Sequence, residues 1–188
     1  MTFTKFYVLS DKHTKGALNA AIAFQEESTI DLFHGKIIPT GIIPLTKFCG
    51  NRNLDLVNAA NGLFLLSNRV IEILKNNHIT GWNSLPAEIH MGNGEKINDY
   101  SLLTIHSKLV KIEYEKAERV IKQPFTPTGK PIWINRGLPF DINGWDGSDI
   151  FSAENSLLTL ITEKVHNLLI ENKCTNIKIE RTSEFELY

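Results

Sequence analysis

The chain has 188 residues, of which 42% are hydrophobic, 9% aromatic and 22% charged, a composition typical of one globular domain. Twenty basic and 21 acidic residues give a net charge of −1, which argues against nucleic acid as a main partner, because phosphate binding needs a basic surface. No apolar run approaches the roughly 18 residues of a membrane helix, and we expect neither a signal peptide nor a membrane partner. Two distant cysteines, Cys49 and Cys174, form no disulfide framework. We therefore expect a cytoplasmic protein with a single domain over residues 1–188.

The N-terminal part of the chain gives few signals. Residues 1–34 match no pattern that we can place. Glycine and proline interrupt short apolar runs between residues 10 and 50, which predicts small β elements and turns packed on a core formed by later segments.

An internal repeat is the most informative feature. Residues 55–64 align with 149–158, and residues 66–82 align with 161–177 after a one-residue insertion. Each copy has a capping residue, Ser67 or Thr162, before an amphipathic helix of about ten residues. The apolar stripes of the two helices are Val70, Ile71, Ile73 and Leu74, then Val165, Leu168 and Leu169 widened by Ile170.

A strand is predicted after each helix. Asn77 and Asn172 fall where a left-handed C-cap residue is expected, and Ile177 and Ile179 begin an alternating strand. In the first copy, Gly92-Asn-Gly94 separates two β runs, so residues 82–106 are predicted to form a hairpin. The sequence thus predicts an α+β fold with mixed or antiparallel sheets, two amphipathic helices and a helix–strand duplication at about 55–82 and 149–177.

The region between the repeats is harder to interpret. Balanced charges over residues 108–122 indicate a solvated strand or helix face. Residues 124–148 are rich in proline and glycine, which predicts an irregular connection between unit one (55–106) and unit two (149–182). Loops of this length often carry function.

Catalytic and metal-binding signatures are absent from the sequence. It contains no glycine-rich nucleotide motif, no HExxH and no GxSxG. The run from Asp141 to Asp146 lacks the spacing of a calcium loop, with its glycine fourth rather than sixth. We therefore predict no catalytic residue, no metal and no cofactor.

The stretch from Leu65 to Ile89 resembles a family of bacterial immunity proteins from polymorphic toxin systems, immunity protein family eleven, or a close relative with the same two-unit layout. The matching positions are Ser67, Thr80, Gly81, Trp82, Pro86 and Glu88. Ser148-Asp-Ile-Phe151 also resembles the family, and the likeness covers roughly residues 55–182. Unit two departs from it, with Asn176-Ile177 in place of Gly81-Trp82. The resemblance implies a cytoplasmic protein that binds and neutralises a toxin made beside it.

These observations favour a non-enzymatic immunity protein that occludes a cognate toxin domain. Because long connections on a rigid scaffold commonly carry binding, partner contacts are predicted at Trp133, Arg136, Asp141 and Trp145. Two alternatives stay open. One is a metal-dependent or His/Glu hydrolase or nuclease using Glu88, His90 and His106. The other is a small adaptor or homodimer that buries residues 133–145.

Overall fold

The computed structural model describes residues 5–22, 26–60, 62–124, 126 and 128–187, and for residues 26–28 the backbone alone. The elements are β1 (Phe6–Asp11), β2 (Asn19–Ile22), α1 (Glu26–Phe33), β3 (Ile43–Cys49), β4 (Leu56–Asn58), β5 (Phe64–Ser67), α2 (Asn68–Asn76), β6 (Trp82–His90), β7 (Lys96–Ile105), β8 (Glu118–Lys122), β9 (Ile132–Arg136), β10 (Ile150–Phe151), β11 (Thr159–Thr162), α3 (Glu163–Glu171), β12 (Ile177–Arg181) and β13 (Glu186–Leu187).

The described strands form three sheets. A closed barrel runs β2-β3-β6-β7-β5-β4, a four-stranded sheet runs β10-β11-β1-β12, and a small sheet runs β13-β9-β8. Most pairs are antiparallel, whereas β3 with β6 and β2 with β4 are parallel. The predicted α+β class with mixed and antiparallel sheets is confirmed, and α1 is a helix that the sequence patterns did not predict.

Units one and two have the same strand order. In unit one the order is β4-β5-β7-β6, with β7 antiparallel to both neighbours. In unit two the order is β10-β11-β1-β12, with β1 antiparallel to both neighbours. The N-terminal strand β1 therefore stands in unit two where β7 stands in unit one. That the units arose by duplication stays a prediction.

Several local predictions hold and several do not. Ser67 caps α2, since its Oγ accepts from the Val70 amide at 3.4 Å, whereas Thr162 makes no side-chain cap hydrogen bond at α3. The left-handed residues are His78 and Lys173, one position after the predicted asparagines, whose amide side chains instead donate to carbonyls in the last helical turn. Ile170 is 60% exposed and does not widen the buried stripe of α3.

The hairpin prediction for residues 82–106 is confirmed by the pairing of β6 with β7. The turn closes with a hydrogen bond from the Met91 amide to the Glu95 carbonyl at 2.8 Å. Pro86 donates no backbone hydrogen bond, and β3 pairs with β6 only from Ala87 onward, so one side of Pro86 is an edge.

Two apolar clusters lie on opposite sides of the four-stranded sheet. Tyr7 and Leu9 of β1 belong to the larger cluster, which also contains the barrel interior and the inner faces of α2 and α3. Val8, between them, faces the smaller cluster with Phe140 and Phe151. This alternation follows from the two-residue period of a strand.

The connection at residues 124–148 differs from the sequence prediction of an irregular segment. It contains strand β9, which pairs residue for residue with β8 from Glu118↔Arg136 to Lys122↔Ile132. Pro131 and Gly137 flank the strand without interrupting it, so the proline and glycine content of the region obscured a short run rich in β-branched and aromatic residues. The described helices include none with the length and apolar character needed to cross a membrane.

Candidate protein-binding surface

Strands β8 and β9 form a hairpin whose side chains lie on two faces. Because side chains alternate along a strand, the pairs Arg119↔Asn135 and Ile121↔Trp133 lie on the same side. Val120 and Ile134 lie on the other side, where Ile134 is buried. We call the side formed by Arg119, Ile121, Trp133 and Asn135 the hairpin face.

The hairpin face combines exposed apolar area with a cation. Trp133 is 58% exposed and Ile121 is 52% exposed, although both side chains are large and apolar. The Arg119 guanidinium carbon lies 5.1 Å from the centre of the Trp133 ring, within the range of a cation–π contact. This contact orders an arginine over an aromatic ring while leaving both accessible.

The protein surface beside the hairpin face is concave. An open hollow of ≈ 650 Å³ is lined by Tyr114, Arg119, Trp133, Ile134, Asn135 and Leu187. Tyr114 is half exposed and lies in the short turn that leads into β8. Large aromatic and arginine side chains around a depression are the composition that distinguishes the centres of protein interfaces.

The hairpin is locally basic in a chain of nearly neutral charge. Residues 118–136 contain four basic residues and one acidic residue, a formal charge of +3. Lys122 forms an ion pair with Glu186 of β13. A protein surface that docks here would gain from carboxylates around its contact area.

The structure places two of the four predicted contact residues on β9, but on opposite faces. Trp133 lies on the hairpin face. Arg136 lies three residues further along, on the side shared with its cross-strand neighbours Glu118 and Glu186. Arg136 is exposed on that opposite side and is not part of the hairpin face.

The other two predicted residues have structural roles. Asp141 caps a short 3-10 turn, because its Oδ1 accepts from the Asn143 amide at 3.0 Å. Trp145 packs edge-on against Phe6, with ring centres 5.1 Å apart, and its Nε1 donates to the Ser148 carbonyl at 3.0 Å. The structure therefore does not bring the four predicted residues together on one surface.

Sequence reasoning missed Arg119, Ile121 and Tyr114 as candidates. The signal was weak: Glu-Arg-Val-Ile-Lys and Ile-Trp-Ile-Asn-Arg contain the β-branched and aromatic residues that strands favour, but neither alternates between polar and apolar residues. The nine residues between them exceed an ordinary hairpin turn, which hid their pairing.

The residues proposed for hydrolysis do not converge. Glu88 Oε1 lies 2.7 Å from His90 Nε2 and 2.9 Å from Lys96 Nζ. His106 follows β7 at the opposite end of the same hairpin, beside the Trp82↔Ile105 pair. Trp82 and His90 are eight residues apart on β6, so at roughly 3.3 Å per residue about 26 Å of strand separates His90 from this end. The suggested arrangement of these three side chains is therefore wrong.

The electrostatics around Glu88 give no sign of a general base. Hydrogen bonds from Lys96, and then from His90, hold the pKa of Glu88 below its ordinary value. A carboxylate with a lowered pKa is a weaker base. Within the described part of the chain, no group of three or more His, Cys, Asp or Glu side chains is placed to hold a metal ion.

Exposed apolar residues also occur elsewhere. Ile37, Ile38 and Ile42 project from the loop before β3, and Phe48, 78% exposed, projects from β3 itself. Phe48 is a useful comparison for Trp133, because both are exposed aromatic residues on strands of different sheets.

Comparison of the chain with known proteins found no match. No protein-family model matches the chain, and no curated protein matches it.

Proposed function

We propose that this chain is a non-enzymatic immunity protein, which binds a cognate toxin domain and covers its active site, with the hairpin face at the centre of contact. The observation that carries this proposal is Trp133, held on a paired strand with Arg119 over its ring and exposed to solvent. Tryptophan and arginine are the residue types most enriched among those that dominate binding energy.

The residues that carry the family resemblance have scaffold roles, which is why the contact surface is sought elsewhere. Thr80 Oγ1 donates to Asp149 Oδ2 at 3.3 Å, and Trp82 Nε1 donates to the Ile79 carbonyl at 2.9 Å. Gly81 has φ +87°, and a Cβ there would lie 2.1 Å from the Ile150 carbonyl oxygen. The resemblance supports a common scaffold, on which loops and hairpins supply the specific contacts.

The hairpin face also defines the chemistry of the partner. Its apolar centre suits a hydrophobic pocket that receives the Trp133 ring, and the Arg119 guanidinium beside that ring suits a carboxylate on the rim of the pocket. Binding of this kind blocks access to the toxin without chemistry on the part of the inhibitor. Rigid strands lower the ordering cost of association.

The experiment has two steps. The tagged chain first captures its partner from the native cytoplasm, and mass spectrometry identifies what co-purifies in stoichiometric amount. The purified partner domain is then titrated by calorimetry against the unmodified chain and the Trp133→Ala variant. We expect Trp133→Ala to weaken binding by at least about 30-fold, a loss of about 2 kcal/mol, as for a central interface residue.

Phe48→Ala is the matched control, since it also removes an exposed aromatic side chain from a strand. We expect this variant to bind as the unmodified chain does and to rescue cells that express the toxin. Equal affinities for the unmodified chain and Trp133→Ala would reject the hairpin face. A partner without toxic activity would reject the immunity function.

A further inference from the structure

Strand β8 has an open edge, because it ends the order β13-β9-β8 and no strand lies beyond it among the described residues. It contains no proline, and its register with β9 is regular, without a bulge. An edge of this kind presents backbone N–H and C=O groups that can pair with a further strand. The hydrogen bonds of β9 decide which residues of β8 present these groups.

The open backbone groups belong to Arg119 and Ile121. The Gly137 amide donates at 2.7 Å to the carbonyl of the residue before β13, in register with the pairing of β9 and β13, so its backbone groups point towards β13. Because this direction alternates along a strand, the groups of Ile134 point towards its partner Val120. The N–H and C=O groups of Arg119 and Ile121 therefore point away from β9. No hydrogen bond from another described element reaches these four groups.

The same two residues supply side chains to the hairpin face, and these define the strand that the edge accepts. Arg119 is exposed beside the Trp133 ring, and Ile121 is 52% exposed. In a strand paired at this edge, the residues beside Arg119 and Ile121 lie two positions apart on one face. Cross-strand pairs of opposite charge and pairs of apolar residues both stabilise a sheet. A charged side chain on an edge discourages other strands, so Arg119 favours a strand with a carboxylate.

We infer that the toxin domain adds a strand of its own to the outer edge of β8, with a carboxylate beside Arg119 and an apolar residue beside Ile121. The small sheet then becomes a four-stranded sheet that crosses the interface. The inference rests on the proposed function and adds the backbone of β8 to the contacts of the hairpin face. In this mode of recognition, main-chain hydrogen bonds give affinity and alternate side chains give specificity.

An added strand is compatible with the contact already proposed for Trp133. Neighbouring strands lie about 4.8 Å apart, so the added strand would lie roughly 10 Å from β9, which carries Trp133. The body of the same domain can therefore cover the tryptophan ring while its strand pairs with β8. The edge and the hairpin face form one continuous surface.

Proline substitution separates backbone pairing from side-chain contact. Ile121→Pro removes an N–H that points away from β9, so the β8–β9 ladder keeps its hydrogen bonds. Ile121→Ala removes the same side chain but keeps the N–H. Calorimetric titration with the captured toxin domain should show that Ile121→Pro binds at least about tenfold more weakly than Ile121→Ala.

Arg181→Pro is the matched control, because it places a proline on another edge strand. In the described part of the chain, β12 ends its sheet. The Thr182 amide donates to the Phe6 carbonyl of β1, so the N–H of the preceding residue, Arg181, points outwards. We expect Arg181→Pro to bind the toxin domain as the unmodified chain does.

Amide hydrogen exchange, measured residue by residue by NMR, keeps the test valid if Ile121→Pro does not fold. The amides of Arg119 and Ile121 should exchange rapidly in the free chain and become protected in the complex, whereas the Val120 amide should be protected in both. Unchanged exchange of Arg119 and Ile121 in the complex would overturn the inference. Their protection with rising chain concentration alone would assign the edge to a second copy and would also overturn it.

The inference and the proposed function can fail separately. Equal affinities of folded Ile121→Pro and Ile121→Ala, together with weak binding by Trp133→Ala, would reject the added strand and leave the hairpin face as the contact. Unchanged binding by Trp133→Ala, together with weak binding by Ile121→Pro alone, would keep the added strand and reject Trp133 as the centre of contact. Thermal melts of each variant report on folding.

Discussion

Two aspartates, the buried Asp55 and the half-buried Asp149, occupy equivalent positions in the two units and make equivalent contacts. Each begins its unit and accepts from the hydroxyl of the residue before the helix, Ser67 or Thr162. Each also pairs with the second residue of that helix, which is Arg69 in one unit and Lys164 in the other.

Each aspartate also accepts hydrogen bonds from a threonine of the other unit. Asp55 Oδ2 accepts from the amide and the hydroxyl of Thr175, which belongs to unit two. Asp149 Oδ2 accepts from the amide and the hydroxyl of Thr80, which belongs to unit one. Each carboxylate therefore stabilises the junction with the other unit as well as its own helix.

We call these two sets of contacts the Asp55 cluster and the Asp149 cluster. They differ in the number and the length of their hydrogen bonds. Arg69 Nη2 lies 2.6 Å from Asp55 Oδ2, and its Nε donates to Oδ1 at 3.1 Å, so the contact is bidentate. Lys164 makes one contact with Asp149, at 2.9 Å. The threonine hydroxyl lies at 2.8 Å in the Asp55 cluster and at 3.3 Å in the Asp149 cluster. The same sequence pattern thus gives the same geometry, while arginine in place of lysine tightens it.

The largest expected difference follows from removing each carboxylate. Asp55→Ala leaves Arg69 and the Thr175 amide without their partner in a site where the Asp55 side chain is only 10% exposed. We expect a loss of about 3 kcal/mol in the free energy of unfolding. Asp149→Ala breaks longer contacts and should cost about 1–2 kcal/mol. Urea denaturation of both variants measures the difference, and equal losses would show that the two clusters contribute alike.

Acid should weaken the Asp55 cluster. Burial raises the pKa of Asp55, but hydrogen bonds from Arg69, Thr175 and Ser67 together outweigh it and lower the pKa from 3.8 to about 2. The charged form therefore stabilises the fold above about pH 4, and this contribution is lost as the pH falls towards 2. It amounts to about 2 kcal/mol.

The pH test compares the unmodified chain with Asp55→Asn by urea denaturation between pH 6 and pH 2. The stability difference between them should shrink by about 2 kcal/mol over this range. Arg69→Gln, which removes one of the groups lowering this pKa, should show an intermediate dependence. A difference that stays constant with pH would mean that Asp55 does not titrate as described.

The smallest effect is expected from exchanging the cations. Arg69→Lys replaces a bidentate contact with a single one and should cost about 1 kcal/mol. Lys164→Arg offers Asp149 a second hydrogen bond and should gain about 0.5 kcal/mol. Thermal melts are suitable for both variants. If Arg69→Lys proved neutral, the geometry of the guanidinium would not explain the difference between the clusters.

Local patterns were enough to predict the repeated helices and the β6–β7 hairpin. Those signals are short-range, because an apolar stripe, a serine cap or a Gly-Asn-Gly turn acts within about ten residues. Barrel closure depends on partners up to 44 positions apart, such as Ile43 and Ala87, and the insertion of β1 between β11 and β12 depends on partners at least 150 positions apart, such as Leu9 and Thr159. No local pattern encodes either. Thr162 has the right chemistry for a cap, and its hydroxyl donates to Asp149 as that of Ser67 donates to Asp55, but it accepts no amide hydrogen bond from α3.

The candidate surface was only partly predictable for the same reason. Trp133 was identified from its residue type and its position in a connection. Trp145, chosen on the same grounds, packs against Phe6 because distant strands bring the two rings together. Whether such a tryptophan faces solvent or a core is decided by tertiary contacts that the sequence does not reveal.

Hydrogen exchange of the chain, alone and with the captured toxin domain, tests the central claim most directly, because it distinguishes the hairpin from the rest of the molecule. We predict that protection on binding is concentrated in β8 and β9, while the amides of Thr80 and Thr175 in the two aspartate clusters are unchanged. Protection centred on residues 37–42 or on Phe48, with β8 and β9 unaffected, would contradict the account.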